Sequence, residues 1–76
     1  MYSVSTSLTI ILEEGEDGFW IATIPEVPGA FSQGRTKASA RRNVLSALSE
    51  LMAARREIAL RDRKSTSTIE HVAFQV

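Results

Sequence analysis

The chain contains no cysteine, which removes both a disulfide framework and a thiolate metal site. No apolar run approaches the ~20 residues of a membrane span. The opening stretch MYSVSTSLTIILEE has no basic segment ahead of its apolar residues, as a secretory signal would. These absences predict a cytoplasmic protein with no membrane contact. There is one histidine, His71, and its neighbours Ser67, Thr68 and Glu70 form no recognised triad with it, so it reads as a strand residue. With 76 residues the chain is expected to form one domain, residues 1–76. A domain of this size buries only about 60–65% of its unfolded surface, so a partner is a natural part of its stability.

Basic residues are also missing from the first part of the chain. Residues 1–34 hold Glu13, Glu14, Glu16, Asp17 and Glu26 with no lysine or arginine, whereas residues 35–64 hold all nine bases against Glu50, Glu57 and Asp62. The net charge of zero therefore conceals an acidic first half and a basic second half. A solvated helix face is the simplest source of such a basic block. Nucleic-acid contact by the helix, or a basic partner on the acidic side, are the functional alternatives.

What is present organises around residues 18–34, GFWIATIPEVPGAFSQG. Phe19 to Ile24 is aromatic and β-branched and stops at Pro25, which cannot donate to a ladder. Pro25-Glu26-Val27-Pro28-Gly29 fixes two φ angles and follows them with a residue free to take positive φ, so a defined turn is expected. Ala30 to Gln33 is a short strand closed by Gly34. Upstream, Ser7 to Glu13 alternates, with Leu8, Ile10 and Leu12 on one face, and Glu14-Gly15-Glu16-Asp17-Gly18 joins it to the next strand as a hairpin.

Downstream, Thr36 offers a helix cap and residues 36–63 turn to alanine, leucine and arginine. Ala40, Val44, Ala47, Leu48, Leu51, Ala54 and Ile58 form one stripe, widened by Leu45, Met52 and Ala59. Ser65-Thr66-Ser67 breaks the helix. Residues 68–76 alternate again, which predicts a last strand with Val72, Phe74 and Val76 inward. The expected order is β-β-β-α-β: an α+β fold, an antiparallel sheet with one long helix on one face.

One helix covers one face of such a sheet, yet the second strand is apolar on both sides. Trp20, Ala22 and Ile24 are assigned inward. Phe19 and Ile21 then lie outward with Thr23, joined by Ile11, as an exposed apolar patch of the kind that marks an interface.

These elements resemble the HicB-type antitoxin family. The carriers are the acidic two-glycine turn at residues 14–18, the strand Phe19 to Ile24 running into IPEVPGAFSQG, the helix start at Thr36, and an apolar helix followed by one more strand. The resemblance implies a partial ribonuclease H-like fold and the silencing, by protein–protein contact, of a HicA-type RNA-cleaving toxin. Full-length members append a DNA-binding domain. This chain stops after the last expected strand and resembles a stand-alone N-terminal domain. A homo-oligomer, dimer or tetramer, is expected through the uncovered sheet face and the last strand.

For toxin contact the candidate residues are Glu13, Glu14, Glu16 and Asp17, whose carboxylates suit a basic RNA-binding partner, together with Phe19, Ile21 and Phe31. Trp20 is expected in the core. The alternative is a salt-dependent nucleic-acid binder using Arg41, Arg42, Arg55 and Arg56. No catalysis, metal or cofactor is expected. A magnesium nuclease needs carboxylates gathered at inward positions, and the acids here fall mainly in a solvated turn.

Overall fold

A computed structural model of the chain describes residues 7–73. Three short strands, β1 (Ile11–Glu14), β2 (Trp20–Thr23) and β3 (Phe31–Gly34), are followed by one helix, α1 (Lys37–Arg61). The sheet is antiparallel in the order β1-β2-β3. Leu12, Ala22 and Ser32 lie abreast in one row and Glu14, Trp20 and Gly34 in the next, both on the face toward the helix.

The two turns form where φ-restricted and φ-permissive residues stand. The β1–β2 hairpin closes with Gly15 N–H donating to Phe19 C=O at 2.6 Å. In the second turn Val27 N–H donates to Ile24 C=O and Ala30 N–H to Val27 C=O, each at 3.1 Å, and Gly29 takes a φ of 91°, a value that penalises a side chain. Ile24 N–H then reaches Ala30 C=O at 2.9 Å and extends the pairing one step past β2.

Thr36 caps the helix as its sequence position predicts. Ser39 N–H donates to Thr36 Oγ1 while Thr36 N–H donates to Ser39 Oγ, each at 3.0 Å, so two helix-end donors are satisfied reciprocally. Gly34 permits the close approach of β3 to this first turn, because a Cβ there would stand 2.3 Å from Ser39 Oγ and 2.5 Å from the Ala40 nitrogen. At the other end of β3, Gly29 lies beside Leu51, and Arg55 Nη2 donates to Pro28 C=O at 2.8 Å. The helix thus runs antiparallel to β3, from the hairpin end of the sheet to the Pro25–Gly29 end.

The core is small: Ala22, Ile24, Ala30, Ala40 and Val44 are buried, with Leu8, Ile10, Leu12, Trp20, Val27, Leu48 and Leu51 packed around them. The inward assignment of Ala22, Ile24 and Trp20 and of Leu8, Ile10 and Leu12 holds. Lys37 at the helix start places its ammonium 4.8 Å from the Trp20 ring centroid. An aromatic face thus offsets the unfavourable placement of a cation at the positive end of the helix dipole.

Two expectations are corrected. The apolar stripe is not covered along its whole length, since Ala54, Met52 and Ile58 are exposed. The sheet is only about 13 Å long by its four-residue strands, while a helix of 25 residues runs about 37 Å, so α1 outlasts what lies beneath it. The fourth strand is not formed over 68–73: these residues join no ladder, and Val72, expected inward, is 82% exposed. The helix ends past the sheet, so the chain leaves it at a distance from the strand edges. Phe74, Gln75 and Val76 fall outside the described residues.

Candidate partner-binding face

Pleating sends alternate residues to the side away from the helix. On that side the register sets Ile11, Thr23 and Phe31 in one row and Glu13, Ile21 and Gln33 in the next. Phe19 continues the face, with the Arg35 guanidinium 5.5 Å from its ring centroid. Phe19 and Thr23 are half-buried, whereas Phe31 is 66% exposed and Ile21 and Ile11 are each 41% exposed. A shallow depression of about 370 Å³ lies between Ile21, Phe31, Ser32 and Gln33. Fully burying an exposed side chain of this size contributes roughly 1.5–3 kcal/mol, and an occupant would gain the part of it that corresponds to the surface still open here, most at Phe31.

The residues singled out for partner contact divide in space. Glu13, Phe19, Ile21 and Phe31 share the bare outer face. Glu14 stands in the opposite row, with Trp20 and Gly34, and Glu16 and Asp17 sit exposed at the hairpin tip. The face is therefore apolar in its middle, with one carboxylate, Glu13, on the β1 side and the Arg35 guanidinium against Phe19.

The basic candidates on α1 form no single cluster. Arg41 and Arg42 flank an open groove of about 470 Å³ with Ala38, Leu45, Ser46 and Ser49. Arg55 and Arg56 lie fourteen residues further on, about 21 Å along the axis, and Arg55 is engaged with the Pro28 carbonyl. His71 lies exposed in the segment after the helix. Among the described residues, no three histidine, aspartate or glutamate side chains gather closely enough to hold a metal ion. No helix among them is long and apolar enough to cross a membrane.

One residue that spacing did not single out is Glu26. Its two carboxylate oxygens each accept from Thr9 N–H at 3.0 Å, and Oε2 also accepts a short bond from Thr9 Oγ1 at 2.5 Å. This fastens residues 7–10 to the proline turn. The Thr9 hydroxyl, then the Thr9 amide, hold the Glu26 carboxyl below its ordinary pKa. A second tie, Asn43 Nδ2 donating to Gln33 C=O at 2.8 Å, secures α1 along the outer edge of β3. Neither tie has a local sequence signal, because each joins residues ten or more apart.

Two proteins of similar sequence have been found. The UPF0150 protein Ta0767 of Thermoplasma acidophilum is 40% identical over 40 residues, covering 53% of this chain and 58% of that protein. The UPF0150 protein ssl0738 of Synechocystis is 44% identical over 45 residues, covering 59% of this chain and 62% of its relative. The match thus spans about three fifths of each relative, and neither name states an activity. No protein-family profile matches the chain, and no solved structure matches it.

Proposed function

We propose that this chain is a HicB-like antitoxin, or an orphan relative of one, that binds and neutralises a HicA-type RNA-cleaving toxin by protein–protein contact and without catalysis of its own. The observation that carries the reading is the bare outer face of the sheet, with Ile11, Ile21 and Phe31 exposed beside Glu13. Its chemistry suits a basic partner: the apolar middle supplies burial, and the carboxylates of Glu13, Glu14, Glu16 and Asp17 attract and orient a surface evolved for phosphate. The sequence resemblance supplies the identity of that partner. The protein acts as a homo-oligomer, which adds to the small core of a single chain.

The test is an RNA-cleavage assay with a HicA-type toxin encoded beside this gene. The wild-type chain is expected to abolish cleavage near stoichiometric addition, and Ile21→Asp to require at least about tenfold more protein, with the helical circular dichroism retained. Full cleavage at saturating wild-type protein, or equal inhibition by Ile21→Asp, would overturn the reading.

The nucleic-acid alternative draws on the Arg41–Arg42 groove. Its four arginines are split by about 21 Å along the helix and one is bound to a backbone carbonyl, which favours the protein-partner reading.

A further inference from the structure

The two edges of the sheet differ. Gly15 bonds to Phe19 across the hairpin, and the alternation of an antiparallel ladder makes Glu13 and Ile11 the residues of β1 that bond to β2. The N–H and C=O groups of Leu12 and Glu14 therefore point away from the sheet, along a free edge. On β3 the helix intrudes, with Asn43 closing on the Gln33 carbonyl. The β1 edge has no such cover among the described residues and carries no proline, lysine or bulge; its two charges, Glu13 and Glu14, restrain pairing except with a basic partner segment.

The flank of the helix on this side is apolar and open. Met52 follows Asn43 by nine residues, about half a turn round the helix. Asn43 reaches the β3 edge, so Met52 and Leu45, which lies on the same flank, project toward the β1 side. Each is 47% exposed. Below them Leu12 is only half-buried, and Ile11 is exposed on the other face. A strand placed beside β1 would meet apolar groups on both sides.

The chain holds a segment of that character. Residues 68–73, Thr-Ile-Glu-His-Val-Ala, put Ile69 and Val72 on opposite faces if extended, and both are exposed, at 45% and 82%. We infer that a second copy of this chain inserts its residues 68–73 beside β1 as an antiparallel fourth strand, and that the exchange is reciprocal about a two-fold axis. The inference deepens the homo-oligomer of the proposed function and does not depend on the toxin.

Charge argues for a second copy over the chain's own segment. The helix ends beyond the Pro25–Gly29 end of the sheet, which is where β1 begins. A segment folding back within one chain would run parallel to β1 and leave its basic approach, Arg61, Arg63 and Lys64, a whole strand length from the acidic hairpin. An antiparallel strand from another copy instead sets that approach, net positive although Arg61 lies 3.6 Å from Asp62, beside Glu14, Glu16 and Asp17, opposite in sign. The approach is also held in its own turn, with Ser67 N–H donating to Lys64 C=O and Lys64 N–H to Ser67 Oγ, each at 3.0 Å. The single chain is far from compact: its radius of gyration is 16.0 Å, against about 11 Å for a closed domain of this length.

Sedimentation equilibrium of the full chain without toxin tests this, so failure of toxin binding leaves its outcome separate. The wild type is expected to be dimeric. His71→Pro/Val72→Pro, at positions with no part in the core, is expected to weaken the dimer at least about tenfold, because one of two consecutive N–H groups must donate to the ladder, with helical circular dichroism unchanged. Arg61→Glu/Arg63→Glu/Lys64→Glu and Glu14→Lys/Glu16→Lys/Asp17→Lys are each expected to be monomeric alone and to form a mixed dimer when combined. A wild type that stays monomeric at millimolar concentration, a dimer indifferent to His71→Pro/Val72→Pro, or charge variants that do not restore one another would each overturn the proposal.

Discussion

The two faces of the sheet are built from similar side chains and meet opposite fates. On β2, Ala22 and the adjoining Ile24 are 0% and 1% exposed, while Ile21, one step along the same strand, is 41% exposed. On β3, Ser32 and Gly34 turn toward the helix, and Phe31 lies open at 66%. Hydrophobicity does not separate the two sets. The difference comes from having a single helix, whose first half covers one face and whose second half overhangs the sheet. An apolar face left bare by the shortage of helix is a surface available to other molecules.

That comparison can be broken from the covered side first. Ile24→Ala is expected to cost about 2–5 kcal/mol, enough to unfold much of so small a domain. Ile21→Ala, at the neighbouring outer position, should cost less than about 1 kcal/mol in the isolated protomer. Urea unfolding followed by circular dichroism measures both, and equal losses would erase the distinction between the faces.

Gly34→Ala comes next. Its new methyl group would meet the backbone of Ser39 and Ala40, parts that cannot swing aside, so a loss of about 1–3 kcal/mol is expected in the same assay. Removing the helix cap is smaller. Thr36→Ala gives up the reciprocal bonds with Ser39 and should lower stability by about 1 kcal/mol.

The smallest effect concerns the tie between residues 7–10 and the proline turn, and it sharpens the comparison by its dependence on pH. The Glu26 carboxyl titrates lower in the folded chain than unfolded, first through the Thr9 hydroxyl bond and then the Thr9 amide. Its contribution is therefore complete above the unfolded value of about 4.3 and is lost as pH falls through the folded value. Glu26→Gln should flatten the acid limb of the stability profile, measured as the urea midpoint between about pH 6 and about pH 2. An unchanged acid limb would mean that the Thr9 bonds do not persist in solution.

Much of this was legible in the sequence where a residue restricts its own backbone. Pro25, Pro28 and Gly29 marked the turn, the Asp17-Gly18 pair marked the hairpin, and Thr36 marked the helix start, each through local φ preference or capping. Alternation in β2 marks Ile21 for the open face, because no helix is left to cover it, whereas Phe19, expected to be exposed beside it, is half-buried under the Arg35 guanidinium. The rest depended on length and on distant partners. A stripe running from Ala40 to Ile58 signals a helix but not where the sheet beneath it ends. Alternation over residues 68–76 signals a strand but not which edge, or whose, it joins. Glu26 read as one more acid of the first half, since only the fold brings Thr9 within reach of it.

The measurement that bears most directly on the outer face as a partner surface is thiol labelling of Gln33→Cys, which introduces the one cysteine of an otherwise cysteine-free chain at an exposed position beside Ile21. The account predicts labelling near the rate of a free thiol in the isolated protein, and slowing of more than about tenfold when a HicA-type toxin is added in excess. A thiol already shielded in the isolated protein, or one that labels at the same rate with and without the toxin, would contradict it.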